Sequence, residues 1–143
     1  MIYNIRLIPL LLVLLCVVAT DCFSQDDIHP IDLSYKQCLE VDSNYTMVGT
    51  VECINRAWVE WEIEMNHYYT LLADTLSTET AEILKKSQDT WVDHFENECD
   101  FINLFYHLEM NERNFDERAE FGLYMVRERA LKLRKQYEYL IEY

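Results

Sequence analysis

The residues that could do chemistry in this chain are its cysteines, its four histidines and an unusual density of carboxylates. Cys38, Cys53 and Cys99 lie in the body of the chain, while Cys16 and Cys22 lie in its apolar beginning. Thiols in this arrangement either form a disulfide in an oxidising compartment or ligate a metal. No histidine sits at ligand spacing to Cys38 or Cys53, so the disulfide is the stronger reading and no metal site is expected. A Cys38–Cys53 bridge closes a short loop and would stabilise the fold by about 3 kcal/mol in the chain-entropy model. Cys99 is then odd: free, buried or joined to another molecule. Burial is favoured, because it lies near the apolar side of its helix. His29, His67, His94 and His107 form no HExxH or similar pair, and there is no glycine-rich phosphate loop or nucleophile elbow. Carboxylates are plentiful enough for a glycosidase-like pair, but a narrow helical bundle leaves little room for a substrate cleft. The chain therefore does not read as an enzyme, and no cofactor is expected.

The carboxylates form a pattern. Glu82, Asp89, Asp93, Glu96 and Asp100 recur at steps that keep them close to one face of a helix. Like charges four apart destabilise a helix by roughly a few tenths of a kcal/mol each, and only Lys86 is expected to relieve the stripe. Glu60 and Glu64 add a similar pair on the preceding helix. The formal net charge is -14. From Gln25 to Glu112 there are 4 basic and 19 acidic residues, against 7 basic and 6 acidic from Arg113 onward. Phosphate recognition needs basic patches, so nucleic acid is an unsuitable partner. The plain reading of the stripe is a solvated, soluble face. The sharper one is a docking surface for a cationic protein, carried by Asp89, Asp93, Glu96 and Asp100, which would speed encounter electrostatically.

The first residues read as an export address. Arg6 supplies a weak positive start, and Leu7 to Ala19 is an apolar run of about 13 residues, the usual length of a signal-peptide core. A bilayer span needs roughly 20 apolar residues. Cys22 and Ser24 are small residues placed for cleavage before Gln25, giving a signal peptide over 1–24 and one mature domain over 25–143. A lipid on Cys22 is the competing reading, but Asp21 stands where a lipobox needs a small residue. An uncleaved anchor is a third. All three export the domain to the periplasm or the cell exterior.

Two glycines and two prolines in the whole chain are too few for the turns of a β-sandwich or barrel, so the fold class is all-α. The spacing predicts a short first helix over Ile31–Val41, a turn at Asp42-Ser43-Asn44 and a cap at Thr46. Met47, Val51, Ile54, Trp58, Trp61, Met65, Tyr68 and Leu72 then recur at alternating steps of four and three, a heptad seam. Leu76 ends that helix, and Ser77 and Thr78 begin a third one. Ile83, Leu84, Trp91, Phe95, Ile102 and Phe105 form its expected buried side. So short a connection makes helices two and three antiparallel neighbours. After a polar break over 111–115, Asn114 and Glu117 mark a last helix start. Leu123, Val126, Ala130, Leu133, Tyr137 and Leu140 give its seam, with Gly122 expected to delay or kink its beginning. The whole reads as an antiparallel bundle built on a long hairpin, with a short disulfide-tethered first helix and a long last one.

Laid along these elements, Cys38-Leu39, Thr46-Met47, Cys53, Trp58, Met65-Asn66-His67-Tyr68-Tyr69 and Leu84-Lys85-Lys86-Ser87-Gln88-Asp89-Thr90-Trp91 follow an ordered pattern. The chain resembles the lysozyme-inhibitor LprI-like (N-terminal) family in that order and spacing. Arg129 with Leu133 resembles the family's closing Arg and Leu. The resemblance makes Trp58, Asn66, Tyr69, Leu84, Gln88, Trp91 and Arg129 the motif residues. Two positions depart from it. Members often carry an Arg-Asp pair where this chain has Phe95-Glu96, and many have a fourth cysteine to match Cys99. The family implies an inhibitor of lysozyme-type muramidases, which are commonly basic and bind substrate in an open cleft. A generic envelope interaction module is the alternative, contacting its partner through Cys99 or the aromatic-rich last helix.

Asn66 and Gln88 read as amides on facing helices, joined by a register-fixing hydrogen bond or shared with a ligand. Arg129 is expected to tie the last helix to a carboxylate on the hairpin. Mass spectrometry of the secreted protein should find Gln25 at its N-terminus, free or cyclised; a diacylglycerol on Cys22 would establish the lipoprotein reading instead.

Overall fold

A computed structural model of the chain describes residues 28–108 and 115–142, and these form four α-helices. The proposed cleavage before Gln25, the lipobox alternative at Cys22 and the cap at Asn114 lie outside the described residues. Helix α1 spans Pro30–Leu39. The His29 ring caps it by accepting a hydrogen bond from the Ile31 amide at 3.3 Å, and Pro30 is preset for the first helical position. The expected extension to Val41 is absent, because the chain turns through a short 3-10 helix at Asp42–Asn44. Helix α2 spans Met47–Thr75. Thr46 caps it, its Oγ1 accepting from the Gly49 amide at 3.1 Å.

The Cys38–Cys53 disulfide joins α1 to the first turns of α2. Asn44 Nδ2 donates to the Cys38 carbonyl at 2.9 Å and pins the intervening turn. Gly49 lies beneath that turn, and a Cβ there would meet the Asn44 backbone at 2.5 Å. The second link from α1 is ionic. Arg127 grips Asp32 bidentately, with Nε to Oδ1 at 2.9 Å and Nη2 to Oδ2 at 2.7 Å.

Helix α3 spans Thr78–Leu108 and helix α4 spans Phe115–Glu142. Ser77 Oγ accepts from the Thr80 amide at 3.3 Å at the start of α3. Trp58 and Met65 of α2 meet Phe95 and Gln88 of α3, so these two run antiparallel. Trp61 and Tyr68 meet Arg127 and Tyr137, so α2 and α4 run parallel, and the long helices follow an up-down-up path.

The core lies between α2 and α4. Ile54, Ala57, Trp61, Met65 and Leu72 pack against Leu123, Val126, Ala130 and Leu133, all buried. Both predicted seams are therefore present, trimmed at their ends. Met47 is 61% exposed and Leu140 is also exposed. The hairpin is not the main contact. No residue of α3 is fully buried. Leu84, Trp91 and Phe95 pack against the core, whereas Ile83 and Phe105, expected on the buried side, are exposed. The physical reason is that α2 spends its apolar stripe on α4, leaving only its flank for α3.

Gly122 does not kink α4, which is continuous through it. It instead provides room for a ring, since a Cβ on Gly122 would overlap the outer edge of the Trp58 indole. An ordinary helical Gly→Ala change stabilises by about 1 kcal/mol. Gly122→Ala should instead destabilise by about 1–2 kcal/mol in urea melts, the overpacking cost. Combined with Trp58→Leu, the same change should become neutral or stabilising.

Candidate functional site

Two features of α3 point in opposite directions. Asp89, Asp93, Glu96 and Asp100 are all exposed, on the side away from Leu84, Gln88, Trp91 and Phe95. Steps of four, three and four keep the four acids together on one helix face. They are not equivalent. Lys85 Nζ lies 2.7 Å from Asp89 Oδ2, so Lys85, and not only Lys86, relieves the stripe. The i,i+4 spacing of Lys85 and Asp89 carried that signal in the sequence. No ion pair engages the Asp93, Glu96 or Asp100 carboxylates among the described residues.

The inner face of α3 meets α4 at Arg129. This side chain is only 7% exposed. Its Nε donates to Gln88 Oε1 at 3.0 Å and its Nη2 to Ser87 Oγ at 3.4 Å. The guanidinium lies over the Trp91 ring, 5.9 Å from its centre. All three partners are neutral. The expected carboxylate partner is not there, and burial pulls the Arg129 pKa below the ordinary arginine value. Gln88 spends its other end on Met65, with Nε2 3.7 Å from Sδ. Asn66 is exposed on α2, so the expected Asn66–Gln88 pair does not form. The Gln88 oxygen faces Arg129 of the neighbouring α4 instead.

The aromatic motif residues extend this junction. Trp91 stacks on Phe95 with centroids 5.4 Å apart, and Trp58 meets Phe95 edge-on at 5.6 Å. Tyr69 and Leu84 pack against the core alongside them. The motif thus joins the three long helices, with Asn66 its one member left outside.

Residues 38–133 match the model of a family described as lysozyme inhibitor LprI. The chain belongs to that family. No curated protein and no solved structure matches it. Within the region that matches the LprI family, Phe95 forms the aromatic link between Trp58 and Trp91. Cys99 is a free, half-buried thiol and not a buried one. Its pKa is raised by burial and by neighbouring Asp100 and Glu98, a shift that disfavours the thiolate. It lies on the flank of α3, a helix too loosely covered to seal it. Among the described residues no group of His, Cys, Asp and Glu is arranged to hold a metal, and no helix is long and apolar enough to cross a membrane.

Replacing Gln88 by the similarly sized Met should destabilise the LprI-family fold by about 1–3 kcal/mol, because a buried guanidinium loses its best acceptor. Asn66→Ala should stay within about 0.5 kcal/mol, as expected of an exposed site without such a role. Denaturant melts of the two variants separate these outcomes.

Proposed function

We propose that this chain is an exported inhibitor of lysozyme-type muramidases that docks through the acidic face of α3. The match to the lysozyme-inhibitor family over residues 38–133 carries this reading. The four solvent-facing carboxylates supply the chemistry for it. A basic enzyme would be drawn to a helix face with three carboxylates that make no ion pair among the described residues, and the attraction would raise the encounter rate more than the final affinity. A long helix also suits an open polysaccharide cleft, since it presents its face without reorganising. Gln88, Trp91 and Arg129 hold α3 in place from behind.

Changing Asp89, Asp93, Glu96 and Asp100 together to Asn or Gln tests the docking face. At low salt the variant should associate with a basic muramidase about tenfold more slowly or worse. The salt dependence of its inhibition should flatten, while its helical circular dichroism stays the same. Complete lack of inhibition by the wild type at low salt would replace the inhibitor reading with that of an envelope interaction module. Inhibition that survives neutralisation would move the contact to the loop beside the disulfide, where Tyr45 is 73% exposed.

A further inference from the structure

Arg129 forms one end of a groove that the acidic face does not account for. The groove runs between α3, the end of α2 and the last turns of α4, with a volume of about 540 Å3. That lies within the range of about 300–1,000 Å3 usual for small-molecule sites. Leu72, Leu76, Leu84 and Leu140 supply apolar wall, and Arg129 and Lys132 supply positive charge. In a chain with 26 acidic residues, no Asp or Glu lines this groove among the described residues.

The charge is held at a cost. A buried guanidinium normally sits against a carboxylate, because neutral acceptors repay little of its lost hydration. Here the partners are an amide, a hydroxyl and an indole face. The remaining nitrogen, Nη1, takes part in neither of these hydrogen bonds, and the side chain reaches the groove wall. Lys132 is exposed and makes no ion pair among the described residues. A planar donor without a carboxylate partner, a second cation nearby and an apolar trough beyond them form a complementary mould for one kind of molecule.

We propose that the α3–α4 groove binds a medium-chain fatty acid, its carboxylate on the Arg129 guanidinium and Lys132 and its alkyl chain along Leu84, Leu76, Leu72 and Leu140. Charge complementarity sets the orientation, and the apolar wall supplies the area. The site is separate from the outward acidic face of α3, so binding there does not depend on muramidase inhibition.

Titration of the full-length protein with dodecanoate, followed by calorimetry and by the 15N shift of the Arg129 side-chain Nε, tests the site. Saturable binding of one equivalent is expected, with the Arg129 signal moving. Dodecanol, which has the same chain and no charge, should bind at least about tenfold more weakly. Arg129 is too embedded to be the main variant, so the exposed wall and rim carry the test. Ile83→Asp, at a groove residue 65% exposed, and Lys132→Glu should each weaken dodecanoate at least about tenfold. Val59→Asp, an exposed α2 position outside the groove, should leave binding unchanged. Absence of saturable binding, equal affinity for dodecanol, or binding untouched by Ile83→Asp and Lys132→Glu would each overturn the proposal. So would sedimentation showing a wild-type dimer that Ile83→Asp dissociates, since a second copy would then occupy the groove.

Discussion

The parallel seam between α2 and α4 is the interaction on which the other contacts depend. Trp61, Ile54, Val126 and Leu133 are almost wholly removed from solvent along it, and Ala57 and Ala130 contribute small side chains to the same buried stripe. Small residues at such positions let helix axes approach and large ones fill the remaining space. Because the two helices run parallel, the chain must return the full length of α2 before α4 can begin. Helix α3 is that return. Its length is set by the geometry of the seam, and this explains why a helix of 31 residues buries none of them fully.

A lightly buried helix needs other means of attachment, and the polar and aromatic junction at Arg129 provides them. Gln88, Ser87 and Trp91 come from α3 and meet a side chain projecting from α4. The junction fixes rotation as well as position. With Gln88 and Trp91 held inward, Asp89, Asp93, Glu96 and Asp100 must face outward, since all of them share one rigid helix. The Arg129 cluster therefore determines which face of α3 is turned to solvent. The desolvation of Arg129, reflected in its lowered pKa, is the cost of that arrangement.

The small helix α1 illustrates a different economy. Its ten residues are too few to form a stable helix alone. A disulfide at one end and the Asp32–Arg127 pair nearer the other tie it to two different long helices. His29 packs its ring 4.4 Å from Trp61 and places Nε2 3.4 Å from Glu64, so even the capping residue closes over the core. The link between Asp32 and Arg127 spans most of the domain's sequence.

The all-α class, the two heptad seams, the Cys38–Cys53 bridge, the Thr46 and Ser77 caps and the family were legible in the residues themselves. Each rests on local spacing, on capping chemistry or on an ordered motif, and local spacing is what a linear chain displays. The amphipathic period of α2 revealed that it packs along a helix but not along which one. Chain proximity suggested α3, and burial chose α4, because the apolar stripes of α2 and α4 match while α3 carries charge over much of its surface. The partners of Gln88 and Arg129, and the exposure of Asn66, are hidden from the sequence for the same reason. Which amide meets which guanidinium depends on the rotation of three helices about their axes, a property of the packed bundle. Gly122 shows the same limit in miniature: sequence marked it as a weak point in a helix, and only the packed Trp58 ring shows that the missing side chain leaves room for another.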